Sequence, residues 1–177
     1  KTKSALKQAF ISLLAQKSIK EISVRELTDL ADINRGTFYL HYRDVYDFFT
    51  SIEGEVLAEF DRFIQTYQHH PPLQLSLLLN LFQYIADNVQ VFQAILKNGE
   101  TKFLDRLIGI CRPLDEGEFQ RLYEHWTPEH YSYNYDFIAH GCVAMLRRWL
   151  EQGMPETPEY MAHLAEQMII TCVKNFR

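Results

Sequence analysis

An all-α fold is predicted for this chain by three features of its amino-acid sequence. Apolar residues recur at the three- and four-residue spacing of amphipathic helices, and the strict alternation that marks a β-strand is hard to find. Proline and glycine fall mainly between the periodic segments, where they separate helices. Hydrophobic residues make up 47% of the 177 residues and include 12 Phe and 10 Tyr. The chain can therefore fill one compact helical domain, or a small head and a larger body.

The first helix is predicted between about Thr2 and Gln16. One of its faces is apolar, as expected for a helix that packs on one side and meets water on the other. The apolar stripe consists of Leu6, Ala9, Phe10, Leu13 and Leu14.

Two short helices joined by a tight turn are predicted between Ser23 and Asp47. Ser23 is followed three residues later by Glu26, which is the spacing of a capping box that starts a helix at Val24. The turn Asp32-Ile33-Asn34 then breaks the apolar pattern. The inward face of this helix is predicted to consist of Val24, Leu27, Leu30 and Ala31.

The second short helix is predicted from Arg35 to about His41, with Asn34 as its N-cap. Because so short a helix is not stable alone, packing of Phe38 and Tyr42 must hold it in place. Gly36 in the first turn lets a backbone approach closely, and free N–H groups there favour a phosphate. This layout is that of a helix-turn-helix, whose second helix enters the major groove of DNA.

The rest of the chain is predicted to be a series of longer helices. The stretch from Leu114 to Tyr131 is the exception, because it mixes charged and aromatic residues without a clear period. The predicted helices cover Val45 to Tyr67, Leu73 to Asp87, Val89 to Lys97, a segment ending near Arg112, Tyr133 to Gln152, and the residues from Pro158 onward.

The charge of the chain is divided unevenly. The net charge is −5, which at first argues against nucleic-acid binding. However, residues 1–50 contain eight Lys or Arg and six Asp or Glu, whereas residues 51–177 contain ten and seventeen. A mildly basic N-terminal part is expected when only one end of a protein meets phosphate. Because this positive excess is modest, groove contacts and dimerisation must supply much of the affinity for DNA.

The cysteine and histidine patterns do not indicate catalysis or metal binding. The three cysteines at positions 111, 142 and 172 have no metal-binding or redox spacing, which is typical of free thiols in a reducing cytoplasm. The seven His are interpreted as surface or core residues. There is no glycine-rich phosphate loop, no apolar run long enough for a membrane span and no signal-peptide pattern. We therefore predict no metal, no cofactor, no membrane association and a cytoplasmic location.

The helix-turn-helix segment resembles the DNA-binding domain of the tetracycline-repressor-like (TetR) transcriptional regulators. The matching residues are Asn34-Arg35-Gly36-Thr37-Phe38-Tyr39, His41-Tyr42, Asp44, Tyr46-Asp47 and Phe48. The resemblance implies a three-helix DNA-binding head over residues 1–47 and an effector-binding and dimerisation domain over residues 48–177. It also implies contacts with a palindromic double-stranded DNA operator, in which Tyr39 and His41 touch the backbone. The candidate DNA-binding residues are Ser23, Arg25, Asn34, Arg35, Gly36, Thr37, Tyr39, Leu40, His41 and Arg43.

One position departs from the family pattern. Many members of the family carry Lys where this chain has Val45, and that Lys usually contacts phosphate. Its absence is expected to weaken DNA binding, and Arg43 substitutes for it only in part.

The last two predicted helices are both amphipathic, and small residues at Gly141 and Ala144 permit close approach of a second helix. These features suit a helical bundle across a two-fold axis, although periodicity alone favours packing inside one monomer equally well. The segment from Trp149 to Met161 resembles a TetR subgroup common in low-GC Gram-positive bacteria, which includes the activator of a dihydroxyacetone kinase operon. This resemblance implies an antiparallel helical bundle that forms a homodimer through the two helices. The candidate interface residues are Gly141, Ala144, Met145, Arg148, Trp149, Met161, Leu164, Met168 and Cys172.

Aromatic residues of the larger domain could line a cavity for a small-molecule effector. Aromatic side chains at helical spacing are as often simply core, so both interpretations stay open. The candidate lining residues are Phe82, Phe103, Tyr123, Trp126, Phe137 and His140.

The sequence therefore predicts an all-α, homodimeric transcriptional regulator, which the family resemblance makes a repressor released by an effector. One alternative is a DNA-binding-impaired or activating regulator that works as a protein-interaction module, or co-activator. Val45 and the weak positive charge favour that alternative slightly. A second alternative is a small enzyme, but the absence of a catalytic signature argues against it.

Overall fold

The computed structural model describes residues 2–68, 74–98, 103–112 and 127–174, and helices are the regular structure throughout these ranges. The all-α prediction is confirmed. No helix within these ranges combines the length and the apolar character that crossing a membrane requires. The helices are α1 (Thr2–Gln16), α2 (Val24–Leu30), α3 (Arg35–Tyr39), α4 (Val45–Gln68), α5 (Gln74–Asp87), α6 (Val89–Asn98), α7 (103–112), α8 (Pro128–Glu151) and α9 (Pro158–Lys174), with a 3₁₀ turn at Ile19–Glu21.

Most helix ends agree with the prediction, but two do not. The α3 helix stops at Tyr39, and the Leu40 N–H donates to the Gly36 carbonyl at 3.1 Å as the C-cap. The α8 helix begins at Pro128, although irregular structure was predicted there. Its cause is Thr127, whose hydroxyl accepts the His130 N–H at 3.3 Å and so caps the helix. The rest of the stretch predicted to be irregular lies outside the described residues.

The chain divides into two compact units, and the division falls inside α4 after Glu59. The N-terminal unit comprises the described residues up to Glu59 together with α6 from Gln90. The C-terminal unit comprises the described residues of 60–89 and of 101–177. The predicted functional boundary between residues 47 and 48 stays a prediction.

An aromatic cluster forms the core of the N-terminal unit. Phe10, Phe38 and Phe48 are each 0% exposed. The Phe48 ring centroid lies 5.3 Å from that of Phe10, 6.0 Å from that of Phe38 and 4.7 Å from that of Tyr42. Aromatic residues of α1 and α4 thus form the core against which α3 packs. The predicted role of Phe38 and Tyr42 in holding this short helix is confirmed.

The α6 helix completes the N-terminal unit. Its residues Phe92, Ala94 and Ile95 are buried. The Ile19 N–H donates to Asn98 Oδ1 at 3.2 Å, and Asn98 Nδ2 donates to the Ala94 carbonyl at 3.0 Å. The side chain of Asn98 therefore joins the end of α6 to the 3₁₀ turn that precedes α2.

In the C-terminal unit, α9 packs along α5 and also contacts α8. The turn between α8 and α9 contains Gly153 and Met154, whose φ angles are +79° and +57°. The Met154 N–H donates to the Trp149 carbonyl at 2.9 Å, and Trp149 Nε1 donates to the Glu156 carbonyl at 3.0 Å. The Trp149 ring lies 5.6 Å from that of Phe82. Trp149 therefore closes this turn and fills the core beside it.

Candidate nucleic-acid interface

The start of α2 is capped differently from the prediction. Ser23 Oγ accepts the Glu26 N–H at 3.1 Å, as one half of a capping box requires. The Glu26 carboxylate instead accepts two hydrogen bonds of 2.6 Å from Lys17 Nζ. A charged donor attracts a carboxylate more strongly than a neutral N–H does. The full capping box lies one turn earlier in the chain, between Ser18 and Glu21.

The turn after α2 is built on a residue in the left-handed region. Asp32 has a φ of +53°, which Asp tolerates better than most residues with a side chain. The Ile33 N–H then donates to the Thr28 carbonyl at 2.9 Å. Thr28 itself is 0% exposed, and its hydroxyl donates to the Val24 carbonyl at 2.8 Å. Thr28 thus occupies the inward position that was predicted for Leu30.

Leu30 is 55% exposed, so its predicted inward placement is wrong. The physical reason is helical geometry. Starting at Val24, the positions that share one face are three, four and seven residues on, and these are Leu27, Thr28 and Ala31. Leu30 falls off that face, whereas a buried Thr completes it because its hydroxyl bonds to the backbone of the helix.

The start of α3 is closed by its own N-cap. Asn34 Oδ1 accepts the Gly36 N–H at 2.7 Å, which confirms the predicted cap. This N–H is therefore not free for a phosphate, contrary to the expectation from sequence. A Cβ at position 36 would lie 3.0 Å from Asn34 Oδ1, so glycine here leaves room for the cap. The backbone at this point serves the helix rather than a ligand.

The remaining candidate residues of α3 and of the two positions after it lie where a ligand could reach them. Arg35, Tyr39, Leu40 and His41 are exposed, whereas Thr37 is half-buried. Tyr39 is 51% exposed and Leu40 is 80% exposed. Because buried Phe38 fixes α3, these exposed side chains are carried on a fixed support. We call Arg35, Tyr39, Leu40 and His41 the reading surface.

Two of the candidate arginines are held by carboxylates. Arg25 Nε lies 3.6 Å from Asp29 Oδ2, and an Arg43 terminal nitrogen lies 3.0 Å from Asp47 Oδ1. The Arg43 N–H also donates to Asp47 at 3.0 Å. Hydrogen bonds from the Arg43 side chain and backbone lower the pKa of the Asp47 carboxyl. Arg35, by contrast, has no ion-pair partner among the described residues.

Val45 is 6% exposed and belongs to the core at the start of α4. A position that carries a phosphate-binding Lys in many TetR regulators is therefore apolar and buried here. Neighbouring Arg43, which could supply the missing charge, is the arginine engaged by Asp47. Position 45 therefore adds no positive charge to this surface.

The candidate pocket residues do not surround one cavity. Phe82 and Phe103 are buried, at 3% and 4% exposed. Phe137 is 69% exposed and His140 is also exposed, so neither lines an enclosed space. The reason is that α8 is apolar on two sides, and Phe137 lies on the side away from the core. The predicted pocket residues Tyr123 and Trp126 lie outside the described residues.

A groove of about 340 Å³ lies between α7 and α8 and includes His140 as its only member of the predicted pocket set. Its lining combines the apolar residues Leu104, Ile108 and Val143 with charged residues that include Asp105 and Arg147. Phe82, Phe103 and Phe137, the other described members of that set, do not line this groove. No group of three or more His, Cys, Asp or Glu in the described ranges is arranged to hold a metal ion.

The candidate dimer residues divide into three sets. Gly141, Ala144, Arg148 and Met168 are exposed, and Met168 is 49% exposed. Met145, Leu164 and Cys172 are half-buried. Trp149 and Met161 are 2% and 5% exposed, so they pack inside their own chain and cannot meet a partner.

Three exposed aromatics were not predicted as dimer contacts: Phe137 was assigned to a pocket, and Tyr133 and Tyr160 to no site. Tyr133 and Phe137 are 76% and 69% exposed, and they precede Gly141 by two turns and one turn of α8. Tyr160 at the start of α9 is 57% exposed. The four-residue spacing of the first two with Gly141 was a signal that could have identified them. We call Tyr133, Phe137, Gly141, Ala144, Tyr160 and Met168 the outer face.

Comparisons with known proteins agree with this architecture. The family model TetR_C_8, described as “Transcriptional regulator C-terminal region”, matches residues 75–171, which is more than half of the chain. A comparison with curated proteins finds no match.

Several solved structures share the fold. One is “Dihydroxyacetone kinase operon activator DhaS”, with a TM-score of 0.71 and 22% identity over 99% of this chain and 98% of that one. The fatty acid degradation regulator FadR from Bacillus halodurans has a TM-score of 0.74 and 15% identity over 98% and 96%. A putative transcriptional regulator from Pseudomonas aeruginosa PAO1 has a TM-score of 0.68 and 20% identity over 99% and 93%. At these identities the likeness shows a common fold.

Proposed function

The chain belongs to the TetR_C_8 family of TetR-like transcriptional regulators, and we propose that it binds a palindromic DNA operator as a cytoplasmic homodimer. A regulator of this family is not an enzyme. The observation that carries the proposal is the reading surface. A five-residue helix is unstable alone, yet buried Phe38 packs on Phe48 and Tyr42 and fixes α3, while Arg35, Tyr39 and Leu40 stay exposed. Such an arrangement suits insertion into a major groove.

The outer face supports the dimer. It combines exposed aromatics with small residues, and a Cβ added at Gly141 would meet nothing within 4 Å. A second copy of the same face would cover Tyr133 and Phe137 and keep their apolar surface from water. In such a dimer, two reading surfaces would meet successive major grooves about 34–36 Å apart.

The dimer is tested by Phe137→Asp, because a buried charge at its centre should separate the copies. Sedimentation velocity should show the wild-type protein as a dimer and the variant as a monomer. Tyr46→Asp is the matched control, because Tyr46 is a 49% exposed aromatic residue of the N-terminal unit. A wild-type monomer, or a Phe137→Asp dimer as stable as the wild type, would refute this interface.

Release by an effector is the regulatory part of the proposal. The dimer would have two conformations that differ in the distance between its DNA-binding domains. An effector must bind one conformation more tightly than the other, since only a difference in affinity shifts the equilibrium between them. We propose repression as the resting activity. One protein of similar fold is named as an operon activator, so activation of transcription is the alternative to repression.

A second candidate function is a regulator that acts through protein contacts and has largely lost DNA binding. The specific observations in its favour are the buried Val45 and the engagement of Arg25 and Arg43 by carboxylates. It differs from the first candidate in one measurable property, which is selective binding to a duplex.

The test is selection of duplexes from a random-sequence library, followed by fluorescence-anisotropy titration of the enriched duplex at several salt concentrations. Arg35 in the helix-turn-helix and Lys20 in the 3₁₀ turn before it have no described ion-pair partner. Two phosphate contacts per protomer predict a slope of log affinity on log salt of about −4 for the dimer.

Arg35→Ala should weaken binding by about fivefold or more. Arg106→Ala, an exposed arginine of α7, is the matched control and should leave the affinity unchanged. Failure to enrich any duplex would refute the DNA-binding function and favour the interaction module.

A further inference from the structure

Leu40 is the most exposed of the large hydrophobic side chains in the described ranges, at 80%. A single exposed leucine is ordinary on a protein surface. This one differs by its place, because it is the C-cap of α3 and stands between Tyr39 and His41 on the reading surface. Its chemistry therefore bears on what the surface can recognise.

The backbone that carries Leu40 is fixed on both sides. The Leu40 N–H donates to the Gly36 carbonyl at 3.1 Å, and the N–H groups of His41 and Tyr42 each donate to the Phe38 carbonyl at 3.0 Å. Phe38 is fully buried against aromatic neighbours. The isobutyl group of Leu40 is thus held outward on a rigid support, which favours a defined contact over a loose one.

The side chain of Leu40 has no polar atom, so it cannot bond to a phosphate or to the polar edge of a base. The apolar group that a base pair presents in the major groove is the C5 methyl of thymine. The low charge of this surface also favours an apolar contact with DNA. With Arg43 engaged by Asp47 and Val45 buried, contacts that do not depend on charge must contribute to affinity.

We propose that Leu40 is a specificity-determining residue that packs against the C5 methyl of one thymine in each half of the operator. This inference rests on the proposed DNA-binding function and adds to it one base identity and the residue that reads it. Arg35, Tyr39 and His41 carry the polar atoms that position the helix on the duplex.

The test replaces thymine by uracil, which removes the methyl group and leaves the base-pairing edge unchanged. The probe is the duplex enriched by the full-length protein from the random library, remade with each dT of one half-site changed in turn to dU. Wild-type affinity should fall by about fourfold at one position, as expected when one methyl-sized group loses its burial. The other positions should show little change.

Leu40→Ala supplies the second arm of the experiment. It should bind the thymine duplex more weakly than the wild type and should no longer distinguish dT from dU at the sensitive position. Leu30→Ala is the matched control, since Leu30 is an exposed leucine of α2, and it should keep the fourfold preference. Because Leu40 is exposed, its truncation removes no core packing.

Each outcome decides the proposal. Loss of the dT preference in Leu40→Ala alone supports it. A duplex that binds tightly but shows no sensitive thymine overturns it and leaves the DNA-binding function standing. A sensitive thymine whose preference persists in Leu40→Ala also overturns it, because another residue then reads the methyl. If no duplex is enriched, the proposed function and this inference fail together.

Discussion

Truncation of Phe38 should unfold the reading surface, because Phe38 is the buried residue of α3 and packs it on the aromatic core. Phe38 is 0% exposed, and its ring lies 5.5 Å from that of Tyr42 and 6.0 Å from that of Phe48. Phe38→Ala is expected to cost about 3–5 kcal/mol of stability. This is a large part of the roughly 5–15 kcal/mol that stabilises a typical domain. The α3 helix should therefore melt locally even if the rest of the chain stays folded.

Hydrogen exchange measures this loss at the relevant amides. The N–H groups of His41 and Tyr42 both donate to the Phe38 carbonyl at 3.0 Å, so their protection reports on α3. In Phe38→Ala these amides should lose about a hundredfold or more of their protection, and selective DNA binding should be lost with it. Phe38→Leu, which keeps much of the volume, should cost less than about 1.5 kcal/mol.

Tyr39→Ala is the matched control, because Tyr39 is the neighbouring aromatic but is 51% exposed. It should leave the protection of His41 and Tyr42 nearly unchanged and still weaken DNA binding. The reasoning would be refuted if Phe38→Ala kept the protection of these amides within about threefold of the wild type. In that case α3 would be held by something other than its buried ring.

Two further substitutions and one chemical modification test other parts of the structure. Asn34→Ala should lose about 1 kcal/mol and expose the Gly36 amide to exchange, because the cap at 2.7 Å disappears. Asp47→Asn should release Arg43 for phosphate and raise DNA affinity at low salt by about two- to threefold, with a steeper salt slope, in anisotropy titrations. Burial and the nearby Cys172 thiol raise the pKa of Cys142 to about 11 from 9.0, so its thiolate forms only as pH rises toward that value. At pH 8 its alkylation by iodoacetamide, followed by mass spectrometry, should be about a hundredfold slower than that of an ordinary thiol.

Each of these has its own control. Asn34→Ser keeps a capping oxygen and should retain most of the stability, so an equal loss in both variants would argue against the cap. Asp105→Asn makes the same change of charge in the C-terminal unit. If this variant gained as much DNA affinity as Asp47→Asn, the gain would come from net charge and not from the release of Arg43. Cys142 should react at a normal rate once urea has unfolded the chain, and fast reaction in the folded protein would contradict its burial.

Local signals in the sequence predicted the helices well. Such signals, of which the cap at Asn34 is one, act within one helical turn. Their effect depends on neighbours that the sequence itself supplies. The same holds for the requirement that Phe38 hold α3, since it follows from the length of that helix alone.

Positions that depend on a distant partner could not be predicted in this way. The Glu26 carboxylate was assigned to its own helix cap, but Lys17 is a stronger partner once α1 and α2 are packed. Asn98 bonds to the backbone of Ile19 across 79 residues of sequence, and no local pattern marks that contact.

The α8 helix shows most clearly what sequence and tertiary structure each determine. Its sequence determines a long amphipathic helix with apolar residues on two sides, because periodicity fixes which residues share a face. Periodicity does not say which face is covered. Packing against α9 and the α8–α9 turn buries Trp149 and leaves Phe137 outside. Trp149, which was predicted to contact a partner chain, is therefore a core residue. Phe137, which was predicted to line a pocket, is a surface residue. Burial is a property of what lies opposite a side chain, and only the folded chain supplies that.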